Sequence, residues 1–75
     1  MLKSIHTKEY RHLLRKLREA RLDAKLTQIE VAEKLKQPQS FVSKLEAGER
    51  RIDFIELERL AKLYKKPISY FSSAR

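Results

Sequence analysis

Three residues, Lys36-Gln37-Pro38, separate two stretches of helical character, and so short a connection constrains this chain more than any other feature. The first stretch opens on Thr27-Gln28-Ile29-Glu30, a capping box in which the Thr hydroxyl and Glu carboxylate reciprocally satisfy free backbone N–H groups at a helix start. Val31, Ala32 and Leu35 follow as inward positions. The second stretch starts near Gln39. Pro38 suits its first turn, where an N–H has no helical partner. It runs to Ala47, burying Val42 and Leu45 while Gln39, Ser40, Ser43 and Lys44 face away. It stops at Gly48, the only glycine in the chain. A left-handed residue closing a helix is easiest for glycine, so the single one stands where backbone geometry requires it.

The flanks supply the rest of a small all-α core. Tyr10, Leu13, Leu14, Leu17 and Ala20 recur at helical spacing behind a candidate N-cap, Thr7, and predict a helix over about Lys8 to Ala24. Asp53 with Glu56 repeats the capping pattern and opens a fourth helix, with Leu57, Leu60, Ala61 and Tyr64 inward and Pro67 marking its end. Ile68, Tyr70 and Phe71 predict a short fifth helix closing over the core. The expectation is a compact bundle of about five short helices: a loose arm over 1–7, one domain over 8–72 and a fraying end over 73–75. With 75 residues and no Trp, the chain has room for one core, built mainly from Leu, Ile, Val and Ala.

Eighteen Lys and Arg against ten Asp and Glu give a formal charge of +8, a field that attracts polyanions. Nucleic acid or an anionic membrane surface leads the list of partners, but the apolar stripe of the first helix is needed for the core, which argues against a membrane. No apolar run approaches the roughly 20 residues of a membrane span, and Met1 to Tyr10 lacks a secretory signal. A soluble, cytoplasmic protein is expected. The absence of cysteine removes disulfide and thiolate chemistry and is compatible with a reducing compartment. His6 and His12 have no metal-ligand pattern around them, so no metal and no cofactor is expected. No acid, base and nucleophile stand in a catalytic arrangement, so the chain reads as a non-enzyme.

Two short helices, a three-residue turn and a polar outer face on the second match the helix-turn-helix layout, whose second helix enters the major groove. The runs Thr27-Gln28-Ile29-Glu30-Val31-Ala32 and Gln39-Ser40-Phe41-Val42-Ser43-Lys44-Leu45-Glu46-Ala47-Gly48 closely resemble the phage-repressor/Cro family of helix-turn-helix proteins, over about Leu14 to Phe71. The resemblance implies that Gln28, at a helix N-terminus, donates to a DNA phosphate. It implies that Gln39 and Ser40 read bases, with Lys44 one turn on, where a lysine either donates to guanine O6 or N7 or rests on phosphate. Phe41 belongs to the same set and either touches a thymine methyl or lies along the backbone. Ser43, Arg50 and Arg51 are assigned to phosphate, and Arg21 with Glu46 to a structural ion pair. The chain departs from the family where glycine usually ends the first two helices, because Lys25 and Lys36 stand there.

The function implied is a transcriptional regulator, a repressor or controller of bacterial, phage or plasmid origin. It binds a short palindromic operator in double-stranded DNA as a homodimer, with half-sites about 34 to 36 Å apart. Two other readings stay open. One is an antitoxin-like partner of another protein, a toxin or a polymerase, with secondary DNA binding; the other is charge-driven binding without sequence preference.

Overall fold

A computed structural model describes residues 7–72; residues 1–6 of the arm expected over 1–7, and the fraying end over 73–75, lie outside them, while Thr7 caps the first helix. Four α-helices follow one another: α1 (Lys8–Asp23), α2 (Gln28–Leu35), α3 (Gln39–Ala47) and α4 (Phe54–Tyr64). A short 3-10 helix spans Ile68–Phe71. The expected fifth α-helix is therefore one tight turn. Pro67 opens it, and the backbone turns extended at Ser72, which ends it after four residues.

Local chemistry explains the boundaries. The Thr7 hydroxyl accepts from the Tyr10 N–H at 3.0 Å and opens α1. Both capping boxes form, Thr27 with Glu30 at the start of α2 and Asp53 with Glu56 at the start of α4. Gly48 closes α3 in the left-handed region, at φ +77°. A Cβ there would stand 3.0 Å from Leu14 Cδ1, so glycine is favoured both by the backbone angle and by the Leu14 side chain, which would have to give way to any larger residue.

Lysine fills the same conformation after the other helices. Lys25, Lys36 and Lys65 have φ values of 60°, 58° and 60°. The left-handed region costs a side-chain-bearing residue on the order of 1 kcal/mol, part of which glycine gives back as extra freedom in the unfolded chain. Lys36→Gly is therefore expected to raise the melting temperature by a few degrees, on the scale of about 4–8 °C per kcal/mol for a domain this small. Calorimetry on the two proteins checks this, and an unchanged or lower melting temperature refutes the strain.

One core joins every element. Leu17 and Ala20 of α1 meet Val31 and Ala32 of α2, Val42 and Leu45 of α3, Leu60, Ala61 and Tyr64 of α4, and Phe71 behind them, all essentially buried. Burial pushes the Tyr64 hydroxyl above its ordinary range, so it stays neutral in the core. Tyr70 lies at the edge, its ring between the ammonium groups of Lys16 and Lys66 at 4.8 and 4.7 Å. Two long-range bonds fasten the periphery: the Ile52 N–H donates to the Tyr10 hydroxyl at 3.1 Å, and a His12 ring nitrogen lies 3.1 Å from the Ser72 carbonyl oxygen. No helix among the described residues is long and apolar enough to cross a membrane.

Candidate nucleic-acid interface

The helix pair α2–α3 is locked by a polar cluster at its base. Arg21, near the end of α1, donates from Nε to Glu46 Oε2 at 2.6 Å and from Nη2 to Glu46 Oε1 at 3.1 Å. A third bond, from Nη1 to the Leu26 carbonyl at 2.9 Å, holds the α1–α2 connection. Both charged side chains are less than a tenth exposed. The hydrogen bonds to Glu46 hold the Arg21 guanidinium above its already high range against the opposing effect of burial, so the pair stays ionised. Gln28, the first residue of α2, adds a bond from Nε2 to Glu46 Oε1 at 3.0 Å. One carboxylate of α3 thus joins the end of α1 to the start of α2.

With Glu46 neutralised inside, the outer face of α3 presents no carboxylate. Gln39 and Ser40 are exposed on its first turn, and Lys44 is exposed one turn further on. Ser43 is half-buried, with its hydroxyl donating back to the Ser40 carbonyl at 3.3 Å. The start of α3 differs from every other α-helix among the described residues. Thr7, Thr27 and Asp53 cap α1, α2 and α4 through their side chains, whereas Pro38 gives α3 no side-chain cap. The Phe41 N–H turns back to the Pro38 carbonyl at 2.9 Å, and no side chain covers the positive end of the α3 dipole beside the exposed Gln39 and Ser40. Such an end suits an anion, and amide side chains beside it suit the donor and acceptor edges of bases.

A helix-turn-helix family model matches residues 17–71 of this sequence. The chain belongs to that family. No curated protein sequence matches it. The family is of the lambda-repressor-like type and its members are DNA-binding regulators, so this domain is a DNA-binding helix-turn-helix unit.

Within the helix-turn-helix domain, two residues expected on the DNA are otherwise engaged. Arg50 makes a two-pronged ion pair with Glu56, Nη1 to Oε1 and Nη2 to Oε2, both at 2.9 Å, and also donates to the Arg51 carbonyl at 2.8 Å. The same guanidinium lies 4.7 Å from the centre of the Phe41 ring. Arg50 is therefore a clamp that fastens the α3–α4 loop. Its side chain is 40% exposed, so a phosphate would compete only with a surface ion pair, which is worth little. Phe41 turns away from the outer face: it is half-buried against the core and beside Leu35 and Glu56. Position 41 precedes Val42, and a helical step of about 100° leaves it at the border of the inward face.

Gln28 and Glu56 carry roles that spacing alone does not reveal. The Gln28 amide has two N–H donors; one goes to Glu46 and leaves the other for a phosphate. Glu56 serves both Arg50 and the N–H of Asp53, the latter at 3.1 Å. The bond to Arg50 holds its carboxyl below the usual glutamate range. Arg51 is exposed on the same loop.

Proposed function

We propose that this domain is a sequence-specific transcriptional regulator that represses by occupying a short palindromic operator as a homodimer. The observation that carries the reading is the exposed, side-chain-uncapped first turn of α3, with Gln39 and Ser40 on it and Lys44 one turn behind. Gln39 and Ser40 read base edges in the major groove, and Lys44 donates to guanine or to phosphate. Gln28, Ser43 and Arg51 fix the register on the backbone without reading sequence. Arg50 and Phe41 support this surface from behind. Pairing of two copies is favoured by large apolar side chains left in solvent, Phe54 and Ile55 at the start of α4 and Ile68 beyond it. Linkage between dimerisation and operator binding then makes occupancy depend on the protein's own concentration.

The test is selection of bound duplexes from a random DNA pool at near-physiological salt, with the wild type and Gln39→Ala. The wild type is expected to enrich a short palindrome. Gln39→Ala relaxes it at one position in each half-site, with a loss of about 1–3 kcal/mol for the preferred base. A pool without enrichment sinks the proposal in favour of binding by charge alone.

A further inference from the structure

We propose that a groove between the C-terminal ends of α1 and α4 and the side of α2 docks an acidic segment of a partner protein that carries an apolar side chain. The groove holds about 620 Å³ and none of its lining residues comes from α3. Four lysines surround it, Lys25, Lys34, Lys65 and Lys66, over Leu26 and Leu63. Lys66 is paired with Asp23 at 3.3 Å; the other three have no carboxylate partner among the described residues.

The balance of charge decides what fits. The C-terminal ends of α1 and α4 converge here, each contributing the equivalent of roughly half a negative charge. Three unpaired ammonium groups exceed that sum, so the groove stays positive after the helix dipoles are counted. Leu26 and Leu63, both half-buried, ask for an apolar group as well. A phosphate backbone offers none, whereas an acidic peptide with a leucine or similar residue satisfies both the lysines and the apolar lining. The volume lies within the ordinary range of about 300–1,000 Å³ for binding clefts. The groove gives the domain a second contact surface, built from residues that the DNA-reading face does not use.

The two left-handed lysines supply a clean test. Lys25→Gly with Lys65→Gly removes two of the groove's charges and relieves two strained backbones, so this variant keeps or gains stability. The probe is a short fluorescein-labelled peptide of repeating Glu-Glu-Leu, followed by anisotropy at near-physiological salt, with Gln-Gln-Leu and Glu-Glu-Ser peptides as controls. The wild type is expected to bind the Glu-Glu-Leu peptide in preference to both controls. The double glycine variant is expected to lose about tenfold in affinity while melting no lower than the wild type, and Gln39→Ala is expected to bind the peptide as the wild type does. Equal binding of the peptide and either control overturns the proposal, as does undiminished binding by the glycine variant. A glycine variant that loses duplex DNA affinity as steeply as peptide affinity also overturns it, by making the groove a phosphate contact.

Discussion

Glu46→Ala is expected to remove about 3–5 kcal/mol of folding stability, the usual result of leaving one member of a buried ion pair without its partner. The residue left behind is Arg21, whose side chain is 9% exposed and has no other carboxylate partner among the described residues. Gln28 loses its acceptor in the same step. A domain of this size has a total stability of only about 4–11 kcal/mol, so the variant approaches unfolding at room temperature. Urea denaturation measures the change as a fall in midpoint at unchanged slope. The companion variant, Arg21→Met with Glu46→Leu, removes both charges and fills their space; it is expected to recover most of the loss, because desolvation of the pair disappears along with its attraction. A loss below about 1 kcal/mol in Glu46→Ala would show that water reaches Arg21 and that the cluster does not hold the helices together.

Leu45→Ala is the second large effect, at about 2–5 kcal/mol, from lost burial together with the cavity left in the buried cluster to which it belongs. Leu45 is 1% exposed, and its chain neighbour Lys44 stands in solvent on the other side of the same helix. Lys44→Ala is accordingly expected to stay within about 0.5 kcal/mol of the wild type in stability while weakening duplex binding. The pair of measurements separates the two faces of α3. If Lys44→Ala destabilised as much as Leu45→Ala, Lys44 would have to lie against the core and α3 would have to be rotated about its axis.

Much of this fold is legible in the sequence because its signals are local. Capping boxes at Thr27 and Asp53, the stop at Gly48 and the three-residue turn each need only neighbouring residues to operate, and the structure places them where the pattern predicts. Left-handed lysines at 25 and 36 are suggested only by the family resemblance, which puts glycine there, and the same conformation at Lys65 has no such signal. What escapes is the choice of partners at a distance. Arg50 and Glu56 are six residues apart across a loop whose path no periodicity describes, and the Tyr10–Ile52 and His12–Ser72 contacts span 42 and 60 residues. The pairing of Arg50 with Glu56 therefore shows only in the structure. Phe41 reads as outward for a related reason: a residue at the border of a helical face is assigned by what packs beside it, and in this domain that is the Arg50 guanidinium.

The bonds that Glu46 makes to Arg21 and Gln28 also bear on kinetics at the operator. Because α1, α2 and α3 are cross-linked through one carboxylate, the proposed reading of bases by α3 would start from a helix whose orientation is already set. The entropy of ordering those elements is lost during folding, so it is not charged again against association. On that proposal, encounters with wrong sequences are expected to end quickly, since a rigid surface has no alternative arrangement with which to accommodate them.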